Sequence, residues 1–506
     1  MADQVEPSVA PATRQRALAL GLLLLTLAAL GGCGGGTDQT APPAAAINLV
    51  PTSLSFTSAQ SGANPGAQTV SVTNSGGGTL SGLGVGTITY GTGQPTGWLN
   101  ASVSSTTAPA TLTLSASTGN LVAGTYTATV PVTGNAATNN PQSVGVSFVV
   151  SSPASPFAAI AASAGFFYSC GLTAAGAVYC WGANVYGQLG DGTTSDRLAP
   201  VAVVGGLSFA SVSAGIGQSC GVTTSGAGYC WGSNSHGQLG DGSATNRSSP
   251  ATVAGGLVFT SISAGSGYTC GITVSGAAYC WGYNAYGQLG DGTVVDRSTP
   301  VAVTGGLSFS TVSAGSDHSC GITTANTAYC WGRNLSGRLG DGTTTDRSSP
   351  VPVTGGLTLS TVSAGGAFSC ALAPSGAGYC WGANDQGQLG DGTTTDRNTP
   401  GLVSGGLSFA TVSAGSGFTC GVTTAAAAYC WGNNLRGFLG DGTTTNHATP
   451  VPVAGGLTFS SLSTDDDHTC GITTAHIAYC WGQNSSGGLG DGTTTDRFTP
   501  VTVRAP

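Results

Sequence analysis

Cysteine is the residue type whose spacing specifies chemistry most clearly in this sequence. Cys33 stands alone, and the other fourteen cysteines form pairs ten residues apart: Cys170 with Cys180, Cys220 with Cys230, Cys270 with Cys280, Cys320 with Cys330, Cys370 with Cys380, Cys420 with Cys430, and Cys470 with Cys480. Zinc sites use shorter Cys spacings, usually with His or further Cys at fixed offsets, and none occur here. Each pair therefore predicts a disulfide or two buried thiols, and export of the protein would favour the disulfide.

A hairpin pattern lies between the two cysteines of each pair. In the first pair, Cys-Gly-Leu-Thr is followed by a turn of small residues and then by Val-Tyr-Cys-Trp-Gly. A turn centred on Ala175 places Cys170 and Cys180 opposite each other on antiparallel strands, where Cα atoms approach to about 4.5 Å. Each bridge would close a short loop and contribute about 2–3 kcal/mol in the chain-entropy model.

Groups for acid–base or nucleophilic catalysis are scarce. The chain contains one Glu, no Lys, 12 Arg and five His, and its net charge is -8. Because a catalytic site needs positioned acids, bases or nucleophiles, we expect no enzyme, no catalytic or metal-ligating residues and no cofactor. The lack of a basic patch argues against nucleic acid as a partner.

The carboxylates follow two patterns. Asp191-Gly with Asp196-Arg197 recurs at 50-residue steps and predicts a turn held by an Asp side chain and an ion pair; a calcium loop would need more oxygen ligands. The run 465–468 (Asp-Asp-Asp-His) is a local acidic cluster, for which a solvated loop, a cation site and a site for a basic partner remain alternatives. Asp317 with Asp466 or Asp467 is the only weak candidate for the carboxylate pair of a polysaccharide-active enzyme.

From Phe157 onward the sequence repeats with a period of 50 residues, and we expect no insertion in any repeat. Each repeat holds one cysteine pair, and we number these modules 1 to 7 in chain order. A module offers four strand candidates separated by Gly-rich turns, which is the content of one propeller blade. The Trp that follows the second cysteine, Trp181 in module 1, is expected to pack between blades.

The modules resemble the RCC1 (regulator of chromosome condensation) repeat family. The resemblance rests on Tyr179-Cys-Trp-Gly, Asn184, Gly187-Gln-Leu-Gly-Asp-Gly and Pro200-Val-Ala-Val, with their counterparts in all seven modules. It implies an all-β fold, a seven-bladed β-propeller, over residues 153–506. The last module ends in Pro500-Val-Thr-Val, and we expect this segment to complete the first blade and so close the ring.

Two loops vary between the modules, and in a four-stranded meander both lie on one face. A rigid rim that carries aromatic side chains suits a binding surface for a protein or a glycan, although neutral drift of solvated loops is the alternative. The first loop follows Ser-Ala-Gly and supplies Phe166, Phe167, Tyr168, Gln218, Tyr268, Asp317, His318, Phe368, Phe418, Asp466, Asp467 and His468. The second follows Cys-Trp-Gly and supplies Tyr186, His236, Tyr286 and Arg436.

Residues 47–152 carry short alternating segments separated by Gly, Asn, Ser and Pro, a pattern typical of a β-sandwich with seven or eight strands. Pro51-Thr-Ser-Leu-Ser-Phe, Asn64-Pro-Gly-Ala-Gln, Trp98-Leu and Gly124-Thr-Tyr-Thr-Ala-Thr-Val resemble the BACON type of immunoglobulin-like domain. That resemblance implies contact with carbohydrate or mucin, and a spacer is the simpler alternative. Trp98 is expected in the core rather than as a sugar platform.

Residues 1–33 are typical of an export signal, with Arg14 and Arg16 before an apolar run of 14 residues, too short to span a bilayer. Leu30-Gly-Gly-Cys33 resembles the processing site of bacterial lipoproteins, which implies lipidation of Cys33; an ordinary signal peptide is the alternative. Residues 34–46 are expected to form a flexible tether. Because Gly34 follows Cys33, the resemblance favours the outer membrane or the cell surface.

The sequence therefore indicates a binding scaffold anchored in the cell envelope. We expect a monomer that touches the membrane only through its lipid anchor and contacts a protein or glycan on the propeller rim. The resemblance also implies guanine-nucleotide exchange as an alternative, which an envelope location disfavours. A polysaccharide-active enzyme is the other alternative.

Overall fold

A computed structural model describes residues 43–59, 63–119, 121, 124–151, 157–162 and 167–505, without the side chains of 160–162. The predicted export signal, lipidation of Cys33 and the rim residue Phe166 lie outside these residues. The chain divides into two compact units, one with most of the first nine strands and one with the 50-residue modules. Within the described residues, no helix is both long and apolar enough to cross a membrane.

The first unit is an immunoglobulin-like β-sandwich of two sheets, with strand orders β1-β3-β7-β6 and β2-β9-β8-β4, and with β5 paired to β8. Its strands are β1 (Ile47–Val50), β2 (Ser53–Ala59), β3 (Gln68–Asn74), β4 (Ser81–Val85), β5 (Thr89–Tyr90), β6 (Leu99–Val103), β7 (Ala110–Ala116), β8 (Gly124–Asn135) and β9 (Gln142–Ser151). Alternation along β7 buries Ala110, Leu112, Leu114 and Ala116 on one face, as a half-buried strand requires.

Trp98 lies in the core of this sandwich, as expected. It is 3% exposed and its ring lies 5.7 Å from that of Tyr90 and 5.6 Å from that of Phe148. The structure therefore confirms a packing role and gives Trp98 no surface for a sugar.

In the second unit each module forms its own four-stranded antiparallel sheet, and seven such sheets are described. Modules 1 to 4 contain β10 (Phe157–Ala162), β11 (Tyr168–Thr173), β12 (Val178–Gly182), β13 (Arg197–Ala202), β14 (Phe209–Ala214), β15 (Gln218–Thr223), β16 (Gly228–Gly232), β17 (Arg247–Thr252), β18 (Phe259–Ala264), β19 (Tyr268–Thr273), β20 (Ala278–Gly282), β21 (Arg297–Ala302), β22 (Phe309–Ala314), β23 (His318–Thr323), β24 (Ala328–Gly332) and β25 (Arg347–Pro352), with a 3₁₀ turn at Leu335–Gly337. Modules 5 to 7 contain β26 (Thr361–Ala364), β27 (Phe368–Leu372), β28 (Gly378–Gly382), β29 (Arg397–Leu402), β30 (Phe409–Ala414), β31 (Phe418–Thr423), β32 (Ala428–Gly432), β33 (His447–Pro452), β34 (Phe459–Thr464), β35 (His468–Thr473), β36 (Ala478–Gly482) and β37 (Arg497–Thr502).

The cysteines of each pair face each other across the second and third strands of their sheet. Cys170 is in register with Cys180, and their Cα atoms lie 4.0 Å apart. The other six modules repeat this bridge, which joins Cys220 to Cys230, Cys270 to Cys280, Cys320 to Cys330, Cys370 to Cys380, Cys420 to Cys430, and Cys470 to Cys480. All seven predicted disulfides are therefore confirmed. The bridges are buried within the blades, where each one staples a hairpin.

The Trp of each module packs against the preceding module, which confirms its place between blades. Trp231 joins Leu189 and the Cys170–Cys180 bridge of module 1 in one apolar cluster. Its indole Nε1 donates a hydrogen bond of 2.9 Å to the backbone oxygen of Gln188. The loop passes so close that a Cβ on Gly190, whose φ is +67°, would lie 2.7 Å from this nitrogen.

The ring closes by packing between modules 7 and 1, and the predicted exchange of a strand is wrong. Strand β37 pairs with β36 of its own module, with Val501 opposite Cys480. Val503 then packs with Phe157 and Trp181 of module 1. Each module has four strands of its own, so the closing junction uses the same side-chain packing and loop hydrogen bonds as the other junctions.

The expectation of a period without insertions is wrong for module 1. There Phe157 pairs with Thr173, 16 residues away, whereas in module 2 Phe209 pairs with Thr223, 14 residues away. The two extra residues fall between the first two strands, in the loop that precedes Tyr168.

Candidate partner-binding rim

The two variable loops of each module lie side by side, as the strand order predicts. The amide of Ser233, which follows Cys-Trp-Gly, donates a 2.8 Å hydrogen bond to the carbonyl of Gly217 in the first loop. Tyr283 and Gly267 make the equivalent bond in module 3 at 2.9 Å. We call the surface formed by these loop pairs the rim.

The third residue of the first loop does not face solvent, so this part of the predicted binding rim is wrong. These side chains are at most 1% exposed in every module: Tyr168, Gln218, Tyr268, His318, Phe368, Phe418 and His468. Each begins the second strand of its sheet and points into the packing between modules.

The polar members of this buried ring hydrogen-bond to the next module. The hydroxyl of Tyr168 donates to the backbone oxygen of Gln218 at 2.6 Å, and that of Tyr268 donates to the backbone oxygen of His318 at 2.6 Å. The amide nitrogen Nε2 of Gln218 donates to the backbone oxygen of Gly265 at 2.7 Å. These contacts satisfy polar atoms inside an otherwise apolar junction.

His318 and His468 hold the same buried position with different electrostatics. Burial, with a contribution from Arg338, lowers the pKa of His318 well below its usual value. Burial also opposes the cation of His468, but Asp465, whose Oδ2 lies 2.8 Å from Nδ1 of His468, outweighs it and raises the pKa. The run 465–468 is therefore not simply a solvated loop, because Asp465 and His468 form a buried ion pair.

Most of the other predicted rim residues are exposed or half-buried. Asp317, Tyr186, Tyr286, Asp466, Asp467 and Phe167 are half-buried, whereas His236 and Arg436 are exposed. The loop tips next to them add exposed apolar side chains: Val185, Leu335 and Leu435 are 59%, 57% and 67% exposed. The rim therefore presents aromatic, apolar and charged groups in a mixed surface.

Modules 3 and 4 contribute five neighbouring rim side chains to what we call the Tyr–Arg patch: Tyr283, Tyr286, Arg333, Asp317 and Leu335. The Arg333 guanidinium carbon lies 4.6 Å from the centre of the Tyr286 ring, within cation–π distance. Nη1 of Arg333 lies 3.0 Å from Oδ2 of Asp317. The rings of Tyr283 and Tyr286 meet edge to face at 6.3 Å.

The predicted rim did not include Tyr283 and Arg333, because the residue directly after Cys-Trp-Gly was not counted among the variable positions. That residue differs between modules as much as the loop tips do: Ala183, Ser233, Tyr283, Arg333, Ala383, Asn433 and Gln483. This variation was the available signal.

Loop tips of the rim also pair across modules at a separation of 60 residues. Nδ1 of His236 lies 2.9 Å from Oδ2 of Asp296, and Nη1 of Arg436 lies 3.2 Å from Oδ2 of Asp496. These ion pairs are largely exposed and are worth at most about 1 kcal/mol each. Their main effect is to hold the tips in position.

The rim contains two grooves of contrasting charge. A groove of about 290 Å³, the neutral groove, is lined by residues of modules 1 to 3 that include Tyr186, His236 and Tyr283. A groove of about 600 Å³, the acidic groove, is lined by residues of modules 5 to 7 that include Asp385, Arg436, Asp466 and Asp467. Asp317 lines neither groove, so the acidic groove does not bring it together with Asp466 and Asp467.

Two carboxyl groups in the acidic groove, those of Asp466 and Asp467, have raised pKa values. Burial and the neighbouring Asp465 raise the pKa of Asp466 to about 6, and burial with Asp465 and Asp466 raises that of Asp467 to about 7. In the part of the chain that the structure describes, no cluster of three or more His, Cys, Asp or Glu side chains is placed to hold a metal ion.

The recurring Asp-Gly loop has the structural role predicted for it. Oδ2 of Asp191 accepts a 2.7 Å hydrogen bond from Nη2 of Arg197, and Oδ1 accepts one of 2.9 Å from the amide of Thr193. In module 6, Asn446 takes the place of Asp196 and still accepts the amide hydrogen bond of the recurring loop Asn, Asn434, at 2.8 Å. The site tolerates this exchange because it needs only an acceptor oxygen.

Family comparisons identify the same repeats. The family described as RCC1-like domain matches residues 259–506, and two families described as regulator of chromosome condensation (RCC1) repeat match residues 175–222 and 225–272, and residues 159–188. RCC1 repeats are found in this propeller. A comparison with curated proteins found no match.

Solved structures share the RCC1-like propeller fold at low sequence identity. Human WBSCR16 is 21% identical with a TM-score of 0.60, over 65% of this chain and 94% of that one. Prp20p from Saccharomyces cerevisiae is 19% identical with a TM-score of 0.58, over 66% and 87%. The yeast RCC1 (Prp20) match, from a structure of Kap60 bound to yeast RCC1, is 18% identical with a TM-score of 0.57, over 64% of this chain and 83% of that one. Identities this low show the fold alone.

Proposed function

We propose that this protein is an interaction scaffold of the cell envelope, whose RCC1-like propeller binds a protein partner through the Tyr–Arg patch without catalysing a reaction. The observation that carries the proposal is Arg333, held at once over the ring of Tyr286 and against Asp317. Tyr and Arg dominate the energetics of protein interfaces, and a pre-ordered Arg loses little entropy on binding.

The surroundings of Arg333 support a protein partner. Leu335 is 57% exposed and follows Arg333 in the same loop, so an apolar contact lies next to the charged one. Cores of protein interfaces combine such apolar and aromatic area with a few fixed polar groups. The yeast structures of the same fold concern protein partners, namely Kap60 in one, and Gsp1p and histones in the other.

The experiment is affinity capture with the full chain and with single variants of the patch. Arg333→Ala and Tyr286→Ala should each weaken capture of one defined partner by at least about tenfold, because loss of a central anchor costs about 2 kcal/mol or more. Leu435→Ala, which removes an exposed loop tip in module 6, should change it less than about twofold. Equal capture by all four proteins would show that the Tyr–Arg patch is not the contact surface.

Anchoring in the envelope is a separate part of the proposal, and its support is the sequence Leu30-Gly-Gly-Cys33 after a short apolar run. A lipidated cysteine places the protein in the membrane fraction, where two or more acyl chains hold it stably. Cys33→Ala should move the protein to the soluble fraction and abolish incorporation of labelled fatty acid. Retention in the membrane by the variant would contradict lipid anchoring.

A further inference from the structure

The neutral groove lies beside the Tyr–Arg patch and shares only Tyr283 with it. We propose that it binds one ring of an uncharged saccharide, a hexose or an N-acetylhexosamine. Its volume of about 290 Å³ is at the lower end of ligand sites and suits a single ring better than a larger molecule. This ligand would be additional to the protein partner proposed above.

Aromatic rings supply the apolar part of the groove. The rings of His236 and Tyr283 lie 4.8 Å apart and tilted by 59°, and Tyr186 contributes a third ring to the lining. A sugar ring has C–H groups on its faces and hydroxyls at its edges, so its faces pack on aromatic side chains while its edges remain available for hydrogen bonds.

Gly267 keeps the space next to these rings open. A Cβ at this position would lie 3.7 Å from Cβ of Tyr283 and 3.9 Å from Cδ2 of His236, so a longer side chain would extend into the groove. Module 4 carries Asp317 at the equivalent position, where it pairs with Arg333. The space that Gly267 leaves open in module 3 is thus occupied by a side chain in module 4.

Serine hydroxyls supply the polar part of the groove. Nε2 of Gln238 donates to Oγ of Ser233 at 3.2 Å, which leaves the hydroxyl proton of Ser233 for a ligand. The side-chain hydroxyls of Ser235 and Ser266 make no hydrogen bond with the residues that the structure describes. Each hydroxyl can donate and accept, as the hydroxyls of a saccharide require.

The charges around the groove favour a neutral ligand. The titratable groups that line the groove are His236 and the hydroxyls of Tyr186 and Tyr283, and Asp296 at 2.9 Å already occupies Nδ1 of His236. The acidic groove differs, because Asp385, Asp467 and Arg436 line it directly. A uronic acid or a sugar phosphate would lose its hydration in the neutral groove and gain no opposite charge in return.

The test is calorimetric titration of the full chain with neutral mono- and disaccharides, uronic acids and sugar phosphates. The intact protein should bind at least one neutral saccharide saturably, and Tyr186→Ala and His236→Ala should each weaken that binding by about tenfold. Leu435→Ala is the control, since Leu435 holds the position of Ser235 in module 6, is 67% exposed and does not line the neutral groove; it should change the affinity less than about twofold.

A double variant distinguishes loss of saccharide binding from loss of the folded state. Ser235→Ala with Ser266→Ala removes two hydroxyls without internal hydrogen bonds, so the fold should keep its melting temperature while saccharide affinity falls by about tenfold. Absence of saturable binding to every neutral saccharide, or tighter binding of the charged ones, would overturn the proposal. Capture of the protein partner depends on Arg333 and Tyr286, so either proposal can fail while the other holds.

Discussion

His318 and His468 occupy the same buried position in modules 4 and 7, and their neighbours give them opposite charge behaviour. Each is fully buried and contacts a serine of the next module: Nε2 of His318 lies 2.8 Å from Oγ of Ser369, and Nε2 of His468 lies 2.7 Å from Oγ of Ser169. One sits near Arg338 and the other against Asp465. One junction is thus built around a neutral imidazole and the other around an ion pair, because two neighbours are exchanged: Gly315 and Arg338 in module 4 correspond to Asp465 and Gly488 in module 7.

Replacement by Phe should separate the two positions most clearly. Phe is the natural residue at this position in modules 5 and 6, where Phe368 and Phe418 are buried. His318→Phe should cost less than about 1 kcal/mol, since it removes one hydrogen bond and preserves the packing. His468→Phe leaves Asp465 buried without its partner and should cost about 3 kcal/mol or more at pH 6. Urea unfolding of both variants measures these changes in the free energy of unfolding. Equal losses of stability would show that the two histidines do not differ in charge.

The double variant Asp465→Gly with His468→Phe should recover most of that loss. It recreates the combination of modules 5 and 6, where Gly365 accompanies Phe368 and Gly415 accompanies Phe418. The coupling energy should therefore approach about 2–3 kcal/mol, as expected for residues in direct contact. A double variant no more stable than His468→Phe would mean that the Asp465 charge is not the cause.

The two histidines should also give opposite dependences of stability on pH. The raised pKa of His468 provides stability that is fully present below pH 6.5 and is lost as the pH rises through its folded value. The lowered pKa of His318 provides stability that is present above pH 6.5 and is lost as the pH falls. His468→Phe should therefore flatten the unfolding profile above pH 6.5, and His318→Phe should flatten it below pH 6.5. Identical profiles would contradict both assignments.

The smallest effect is expected from Asp467, which lies next to His468. Its pKa of about 7 in the folded protein means that its ionisation destabilises the fold as the pH rises from about 4 through 7. Asp467→Asn should therefore stabilise the protein at pH 8 by about 1 kcal/mol after allowance for solvent screening, and leave it unchanged at pH 4. Thermal unfolding of the variant and the intact protein at the two pH values is the measurement. A variant that is less stable than the intact protein at pH 8 would contradict the raised pKa of Asp467.

The repeated features of this chain could be predicted from its sequence because strand geometry leaves few choices. Ten residues around a tight turn place Cys170 opposite Cys180, and a Trp beside the second cysteine must find an apolar junction. The blade that the last strand joins could not be predicted in this way, because the sequence of Pro500–Val503 fits the first blade as well as the last. Only the register of β37 against β36 decides between them.

The rim was predicted less well, because variation between modules does not distinguish surface from core. Tyr168 and Gln218 differ as much as loop residues do, yet both are buried, since each reaches backbone oxygens of the next module that any module offers. The contacts of Tyr283 and Arg333 needed the structure, because Tyr283 meets His236 of module 2 and Arg333 meets Tyr286 of module 3. The sequence predicted that the two variable loops lie side by side. It did not predict which of their side chains are exposed to solvent.

Closure of the ring without a shared strand gives all seven junctions the same backbone arrangement, in which each blade keeps its own four strands. The loop of module 7 covers Trp181 as the loop of module 1 covers Trp231, and Val503 packs in the same cluster as Phe157. A circular permutant that joins these neighbouring ends and begins at Leu257 would therefore keep every blade intact. Such a ring can also change by duplication of whole 50-residue units, because no unit depends on a strand lent by another.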